Sequence, residues 1–401
     1  MSSPDDTALR AAIEAHNAGR LTEAEVGYRR ILRKQPNDPG ALYGLGLLHF
    51  HQGAVGTALQ HISQSLKVAP GNARAWNTLG SMYMSIGRVS EARNAYDQAT
   101  KAAPTLSEAW YNLAICQRKE ADIDGAVGSL YAATSCASPH AQAFDALASL
   151  LYQEGRESEA VEVYRLWAAN APDNAKARHM YAASAGEAAP ERASDAYVRE
   201  HFDAAAGTFD ANLQNLRYRS HEAVASALAD IAKRSAVGPF EAVLDAGCGT
   251  GLCGPLLRPS CRRLVGVDLS PRMIDQARAR SVYDELVVAE LGGFMRSRAN
   301  TFDAIACADT LVYFGALEDP ISSAHLCLRA TGTFIFTVEE SADGDPSDHH
   351  LTITGRYQHR ETYVRRVLET HNFQVESLSK ITPREERGRP VAGLLVVARR
   401  G

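Results

Sequence analysis

The sequence predicts a multidomain protein, in which an all-α solenoid precedes an α/β domain with a mostly parallel sheet and an antiparallel last strand. Three observations lead to this prediction. Prolines recur with a period of 34 residues in the first half. In the second half, apolar strands alternate with helical segments around a glycine-rich loop, and two strands close the chain with no helix between them. At 401 residues, the chain is also too long for one ordinary core.

The 34-residue period places residues with distinct structural roles at fixed positions. The prolines at this spacing are Pro36, Pro70, Pro104 and Pro172. In the fourth repeat, Ser138 stands in place of the proline. A proline ends the second helix of each repeat because it cannot extend the hydrogen-bond ladder. The residues predicted to cap the first helix in a left-handed conformation are Gly19, Gly53, Gly87 and Gly155, with Ala121 in the fourth repeat. This period is typical of a solenoid of helix pairs.

The pattern W-x-x-L-G-x-x-Y over residues 76–83, followed by Ala92-x-x-x-Tyr96 and Pro104, resembles the tetratricopeptide family. The resemblance covers five repeats from about Asp5 to Pro172, and residues 174–185 are then a capping helix. Such arrays usually bind proteins or peptides on the concave face, which here would carry Tyr43, Phe50, Asn77, Met84, Tyr111, Arg118, Asp145 and Tyr152. The resemblance therefore implies a protein or peptide partner. The alternative is an array that only dimerises or stiffens the protein.

Strands and helices alternate through the second half of the chain. The predicted strands are 240–245, 263–268, 286–291, 302–307 and 332–338, and the helices are 272–280, 315–329 and 361–370. This alternation predicts a doubly wound, mainly parallel sheet. Residues 373–378 and 393–398 form two final strands without a helix between them, so the last strand is expected to run antiparallel to the sheet.

The glycine loop between the first two strands has two interpretations. Residues 249–254 fit the dinucleotide pattern G-x-G-x-x-G, with Asp268 as a ribose-binding acid. However, VLDAGCGTG at 243–251 followed by GVD at 266–268 resembles the first two motifs of class I S-adenosylmethionine-dependent methyltransferases. The acid at the end of the first strand, the acidic site at 289–291 and the antiparallel final strand favour this second interpretation. The resemblance to predicted bacterial methyltransferases that carry tetratricopeptide repeats covers nearly the whole chain and names no substrate.

The resemblance implies S-adenosylmethionine as the cofactor and assigns its contacts. The amides of Gly247, Gly249 and Gly251 would face the methionine part, with Asp245 near its ammonium group. Asp268, with Leu269 beside it, would accept the ribose hydroxyls. Met273 would pack against the adenine, with a core role as the alternative, while Glu290 and Leu291 would meet its amino group and Ala308 the transferring methyl.

Residues 186–194 are small and polar and contain Pro190, which predicts a boundary between domains at 1–186, 187–236 and 237–401. The aromatic-rich stretch that follows, from Tyr197 to Arg219, is either a lid over the cofactor or a packed helix that joins the domains. A lid is attractive because a sulfonium and an adenine both favour aromatic neighbours. Tyr197 and Arg219 are therefore further candidate cofactor contacts.

Methyl transfer requires mainly that the reactants be aligned and desolvated. A general base is needed only for a nucleophile that is protonated at neutral pH, and the candidates are Asp309, Tyr313 and His359, with Tyr357 as a fourth. The acceptor stays open among a small molecule, a lipid-like acid and a protein side chain. The alternatives to a methyltransferase are a non-catalytic adaptor that senses the cofactor and another transfer on the same fold.

Composition limits the remaining functions. A net charge of −5 and a pI of about 6.2 argue against a nucleic-acid partner, and no apolar run is long enough to span a membrane. The seven cysteines match neither a disulfide ladder nor a metal motif. His349 and His350, near Asp343, Asp345 and Asp348, are expected to form a solvated loop and not a metal site. The sequence therefore predicts a cytoplasmic protein without a metal.

Overall fold

The computed structural model describes residues 4–185, 189–234, 239–342, 344 and 346–401. The chain divides into two compact units, Met1–Val163 and Tyr164–Gly401. The predicted domain boundaries at 186/187 and 236/237 fall on residues outside the described part, and they stay predictions.

The first unit is a series of helix pairs, as the 34-residue period predicts. Its helices are α1 (Pro4–Asn17), α2 (Leu21–Lys34), α3 (Pro39–His51), α4 (Val55–Val68), α5 (Ala73–Ser85), α6 (Val89–Ala102), α7 (Ser107–Lys119), α8 (Ile123–Ser135) and α9 (Ala141–Gln153). Helix α10 (Glu157–Asn170) spans the division between the units. Helix α11 (Ala175–Ala185) follows where the capping helix was predicted.

The turn inside each repeat has the predicted left-handed residue. Gly19, Gly53, Gly87 and Gly155 have φ values of 75°, 77°, 75° and 77°. Ala121 takes the same position in the fourth repeat at φ 60°, although an alanine there is strained by its Cβ. The helix crossing explains the small residues of the pattern, because a Cβ on Gly80 would lie 2.5 Å from the Tyr96 ring.

The second unit continues with three helices and an α/β domain. The helices before the sheet are α12 (Asp195–Ala205), α13 (Phe209–Asn215) and α14 (Ser220–Arg234). The α/β domain contains β1 (Phe240–Ala246), α15 (Gly254–Leu257), β2 (Cys261–Asp268), α16 (Pro271–Ala279), β3 (Glu285–Val288), α17 (Leu291–Ser297), β4 (Phe302–Cys307), α18 (Glu318–Cys327), β5 (Leu328–Glu340), β6 (His349–Leu351), β7 (Tyr357–His359), α19 (Glu361–Thr370), β8 (Phe373–Ile381), β9 (Glu385–Glu386), β10 (Arg389–Pro390) and β11 (Gly393–Arg400).

The main sheet has the order β3-β2-β1-β4-β5-β11-β8. Strands β1 to β5 run parallel, whereas β11 is antiparallel to both of its neighbours, which confirms the predicted reversal of the last strand. Helix α14 packs on one face, where Val224 and Leu228 join Val243, Ala304 and Ile335 in a buried core. The carboxyl ends of the parallel strands meet at one edge, where open α/β sheets bind ligands.

Three local predictions require correction. The strand predicted at 286–291 ends at Val288, because Glu290 instead caps α17. The helix predicted at 315–329 is shorter, since β5 begins at Leu328. His349 and His350 do not form a loop but belong to β6, which pairs with β7 and leaves both side chains partly buried. Asp343 and Asp345 lie outside the described residues.

All seven cysteines are free thiols, and six of them are buried. Cys136 is the partly exposed one. The thiols near the glycine loop are therefore part of the core packing, and burial raises the pKa values of Cys248 and Cys253 well above the usual value.

Candidate functional site

A cavity opens at the carboxyl edge of the parallel strands. Ten of the predicted site residues line it, namely Asp245, Gly247, Gly249, Asp268, Leu269, Glu290, Leu291, Ala308, Asp309 and Tyr313. They come from the ends of β1 and β2 and from the segments that follow β1, β2, β3 and β4. Because the strands are parallel and adjacent, their ends bring these distant residues together, as the sequence motifs predicted.

The glycine loop after β1 is folded tightly over the end of β2. Gly247, Gly249 and Gly251 have φ values of 75°, 53° and 82°, a left-handed conformation that favours glycine. Gly247 and Cys248 both donate their amides to the Val267 carbonyl at 2.9 Å. The Gly249 amide donates to Asp268, and the Gly251 amide donates to the Cys248 carbonyl. These hydrogen bonds hold the loop itself, and the contact of the glycine amides with a cofactor stays a prediction.

Asp268 ends β2 with both carboxylate oxygens already fixed. Oδ2 accepts the Gly249 amide at 2.9 Å, and Oδ1 accepts the Ser270 amide at 2.8 Å. Burial raises the pKa of this carboxyl, while the backbone hydrogen bonds oppose the shift. A carboxylate has about four acceptor sites, so Asp268 keeps acceptor capacity for a ligand beyond these backbone bonds. Two oxygens held in one orientation are suited to a vicinal diol.

Asp245 lies at the end of β1 and is only 2% exposed. The Tyr283 hydroxyl donates to its Oδ2 at 2.7 Å. Burial raises the pKa of Asp245 to about 7, although the Tyr283 hydrogen bond lowers it. Asp245 therefore changes charge near neutral pH, and an incoming cation would favour its ionised form.

Glu290 lines the cavity but has a structural role at the same time. Its carboxylate accepts the Gly292 amide at 3.0 Å and the Gly293 amide at 2.6 Å, which caps α17. Arg192 approaches it at 3.7 Å from the other side. The cap fixes the backbone of Glu290 and Leu291 at the cavity wall.

Four predicted cofactor residues do not line the cavity. Met273 is 1% exposed within the core, which corresponds to its alternative role. Gly251 packs against Tyr283 and Ala277, behind the loop. Tyr197 is 3% exposed and stacks on His179, with ring centroids 4.1 Å apart. Arg219 is exposed and lines a second surface pocket with Arg217 and Glu222.

Helices α12 and α13 cover one side of the cavity through other residues, which are Val198, His201, Phe202, Phe209 and Leu213. Two aspartates hold these helices to the loops of the sheet. Asp203 accepts the Ser270 hydroxyl at 2.5 Å, in the loop that follows β2. Asp210 accepts the Thr250 hydroxyl at 2.6 Å and the Arg280 guanidinium at 2.5 Å, beside the glycine loop. We call Asp203 and Asp210, with these three contacts, the aspartate latches.

Asp309 follows β4 at the opposite side of the cavity, with a left-handed φ of 52°. Its Oδ1 accepts the hydroxyls of Ser220 at 2.9 Å and Thr337 at 3.1 Å, and its Oδ2 lies 3.3 Å from Arg384 Nη1. Three donors from three different segments hold this carboxylate in one position. This environment favours an anchoring role for Asp309 over proton abstraction.

The other candidate bases differ in position. Tyr313 lines the cavity and packs edge-to-face on Phe202, with centroids 5.4 Å apart. His359 does not line the cavity; it is fully buried, and its Nε2 lies 2.9 Å from the Phe314 carbonyl oxygen. Burial lowers the pKa of His359 to about 3. Tyr357 is also fully buried and donates its hydroxyl to the Pro190 carbonyl at 2.5 Å.

A buried ion cluster that was not predicted from the sequence forms the wall beside Asp309. Arg384, 1% exposed, contacts Glu339 at 2.5 Å, Glu386 at 2.8 Å and Asp309 at 3.3 Å. Arg356 contacts Glu386 at 2.8 Å. Arg384 and Arg356 both line the cavity, as do Tyr218 and His221. A sequence signal for this cluster is the charged run R-E-E-R at 384–387, which lies in the connection between the last two predicted strands.

In the part of the chain that the structure describes, no group of three or more His, Cys, Asp or Glu residues is arranged to hold a metal ion. The same part of the chain has no helix that is both long enough and apolar enough to cross a membrane.

Comparison with known families gives separate matches for the two halves of the chain. Residues 244–336 match the model of a methyltransferase domain. Residues 9–73 and 49–114 match models of the tetratricopeptide repeat. The first match contains Asp245, the glycine loop, Asp268 and Asp309, which are the residues at the strand ends described above.

Curated relatives resemble only part of the chain. An 18S rRNA (guanine-N(7))-methyltransferase of Bos taurus is 40% identical over 62 residues, which is 16% of this chain and 22% of the relative. Methyltransferase-like protein 27 of Homo sapiens is 34% identical over 29% of this chain and 46% of its own length. Magnesium-protoporphyrin O-methyltransferase of Rhodobacter capsulatus is 34% identical over 24% of this chain and 44% of its own length. This chain spans less than half the length of each of these relatives.

Solved structures show a weak likeness to each half. A magnesium protoporphyrin IX methyltransferase from Synechocystis PCC 6803 with bound SAH has a TM-score of 0.41 at 18% identity, over 52% of this chain and 99% of that one. A thermophilic TPR protein of Thermus thermophilus has a TM-score of 0.34 at 23% identity, over 45% of this chain and 98% of that one. Both scores are too low to support an argument about function.

Proposed function

We propose that this chain, in which tetratricopeptide repeats precede a methyltransferase domain, transfers the methyl group of S-adenosylmethionine to an acceptor bound in the cavity at the sheet edge. One observation carries the proposal. The Asp268 carboxylate is fixed through both oxygens by the Gly249 and Ser270 amides and lines the cavity beside the glycine loop. That arrangement suits the two hydroxyls of a ribose.

The residues that line the cavity fit the parts of the proposed cofactor. Asp268 and Leu269 would hold the ribose, and Asp245 the ammonium group. The backbone at Glu290 and Leu291 would meet the adenine, while Ala308 would lie beside the methyl group. When bound, the cofactor supplies a sulfonium with an electrophilic methyl group. The aromatic residues of α12 and α13 suit a positively charged sulfur and help to exclude water.

The acceptor is expected to lie between Tyr313 and the buried ion cluster. Phe202 and Phe209 on one side, and Tyr218 on the other, give this region apolar walls. These residues orient and desolvate the acceptor, which are the main requirements of the transfer. The names of the relatives include acceptors as different as a guanine base and a magnesium porphyrin, so they select none for this chain.

We also propose that the tetratricopeptide repeats bind a protein or peptide. The repeats place polar side chains from successive units next to one another: Asn112 donates to Asn77 at 3.0 Å, and the Tyr43 and Thr78 hydroxyls lie 3.2 Å apart. Such rows of amides and hydroxyls can bind an extended backbone. A cytoplasmic location stays a prediction from the sequence.

The experiment that tests the enzymatic proposal uses S-adenosylmethionine labelled in its methyl group and an extract of cells separated into protein and small-molecule fractions. Transfer into either fraction supports a methyltransferase, and the labelled fraction identifies the acceptor class. Binding of the cofactor without label in any fraction would instead support the non-catalytic adaptor.

A further inference from the structure

Arg356 has hydrogen-bond donors that the structure leaves unused. Its side chain is 23% exposed, it lines the cavity, and its Nη1 donates to Glu386 at 2.8 Å. A guanidinium carries five N–H groups, so the Nε and Nη2 donors have no acceptor in the part of the chain that the structure describes. A partly buried cation with free donors inside a cavity requires an acceptor from a ligand or from water.

The carboxylates around Arg356 are already paired. Glu386 contacts both arginines, Glu339 contacts Arg384, and Asp309 accepts Ser220, Thr337 and Arg384. An approaching ligand group therefore meets N–H donors at Arg356 in preference to an unpaired carboxylate. The Tyr313 hydroxyl, which lines the same cavity, adds a donor nearby. Glu339 and Glu386 do not line the cavity, so the groups of this wall that face the cavity with free hydrogen-bonding capacity are mainly donors.

The segment that carries Arg356 is fixed from both sides. His179 Nε2 lies 2.9 Å from the Gly355 carbonyl oxygen, and the Tyr357 hydroxyl donates to Pro190 at 2.5 Å. A Cβ on Gly355 would lie 2.9 Å from the Tyr197 hydroxyl, so the segment also packs tightly. A guanidinium whose backbone is held this firmly is suited to selecting a ligand by geometry.

We propose that the methyl acceptor carries a carboxylate group and that Arg356 binds this group in the cavity. This inference rests on the proposed methyl transfer. A carboxylate fits the planar edge of a guanidinium through two parallel hydrogen bonds. A phosphate would bring a second negative charge next to three carboxylates, which makes a singly charged acid the better match. Arg356 is thus assigned as a specificity residue for the acceptor.

The test compares an extract with its amidated counterpart as the acceptor pool for labelled methyl transfer. One portion is treated with a carbodiimide and methylamine, which converts carboxylates to neutral amides, and the other with methylamine alone. We expect the amidated portion to accept at least about tenfold less label. Equal labelling of the two portions would overturn the inference.

Variants connect this loss to Arg356. Arg356→Gln should need roughly tenfold more untreated extract than the wild type for half-maximal labelling. Arg356→Lys keeps the charge but not the planar donor edge, so it should need an intermediate amount of extract. Arg389→Gln, at an exposed position, should match the wild type. Unchanged half-maximal labelling in Arg356→Gln would overturn the inference.

Calorimetry with S-adenosylhomocysteine separates the two proposals. Arg356→Gln should bind it as the wild type does, which also shows that the variant is folded. A wild-type protein that fails to bind it would overturn the proposed function. The other outcome is a wild type that binds S-adenosylhomocysteine and labels the extract normally. If neither amidation nor Arg356→Gln reduces that labelling, only the acceptor assignment is overturned.

Discussion

The two sides of the cavity are held together in different ways. The side around Asp268 is built from one short stretch, where backbone amides and left-handed glycines join the ends of β1 and β2. The side around Asp309 depends on side chains from distant segments, with Arg384 between three carboxylates. The first side needs a local motif and the second a buried ion cluster. The difference predicts that substitutions on the two sides have different consequences.

The largest expected effect is on stability and belongs to the ion cluster. Arg384→Met leaves Glu339, which is 2% exposed, as an uncompensated buried charge. The free energy of unfolding should fall by about 3–5 kcal/mol, measured by urea unfolding followed by circular dichroism. Adding Glu339→Gln should restore part of the loss, because it removes the stranded charge. Arg389→Met is the matched control. If Arg384→Met lowers the free energy of unfolding no more than Arg389→Met does, the cluster does not hold this side together.

A smaller effect is expected at the aspartate latches. Asp210→Asn weakens the contacts with Thr250 and Arg280, so α13 should release the glycine loop more readily. Because the Asp210 side chain is 42% exposed, solvent screens part of the interaction. S-adenosylhomocysteine should dissociate roughly three- to tenfold faster in stopped-flow displacement. Asp230→Asn, exposed on α14, is the control, and equal rates for the two variants would contradict a latch.

The smallest effect is a pH dependence on the cofactor side. Burial raises the pKa of Asp245 to about 7, so this carboxyl is mostly protonated at pH 6 and ionised at pH 8. If the ionised form binds the ammonium group, affinity for S-adenosylhomocysteine should rise over this interval, by less than about tenfold. Calorimetry in buffers of different ionisation enthalpy should detect proton release at pH 7. Asp245→Asn should abolish that release, and proton uptake in the wild type would contradict the assignment.

The same contrast explains what the sequence could predict. The repeat period located the left-handed turns of the array, including Ala121, because each turn depends on residues close in the chain. The strand-end acids Asp245 and Asp268 were found for the same reason. Arg356 and Arg384 were not, since they reach the cavity only after β6, β7 and the final strands have formed. A local sequence pattern does not predict which arginine from a distant part of the chain will lie at the edge of the sheet.

Two site predictions meet additional local contacts in the structure, each for a specific reason. Met273 was assigned to the adenine from its position in a motif, whereas the start of α16 turns its side chain into the core. The loop amides were assigned to the ligand because glycines allow a close approach. The structure uses those amides to fix the loop against Val267 and Asp268. In both cases the motif identified the segment, while the contacts that its groups make within the chain depend on the fold.

The most direct test of the central claim is a calorimetric titration of S-adenosylhomocysteine into the wild type and Asp268→Ala. The wild type should bind one equivalent, and the variant should bind tens-fold more weakly, because a charged hydrogen-bonding group contributes about 2–3 kcal/mol. Asp275→Ala, at an exposed position on the next helix, should bind as the wild type does. Equal affinity in Asp268→Ala and the wild type, or binding of NAD in place of S-adenosylhomocysteine, would contradict the account.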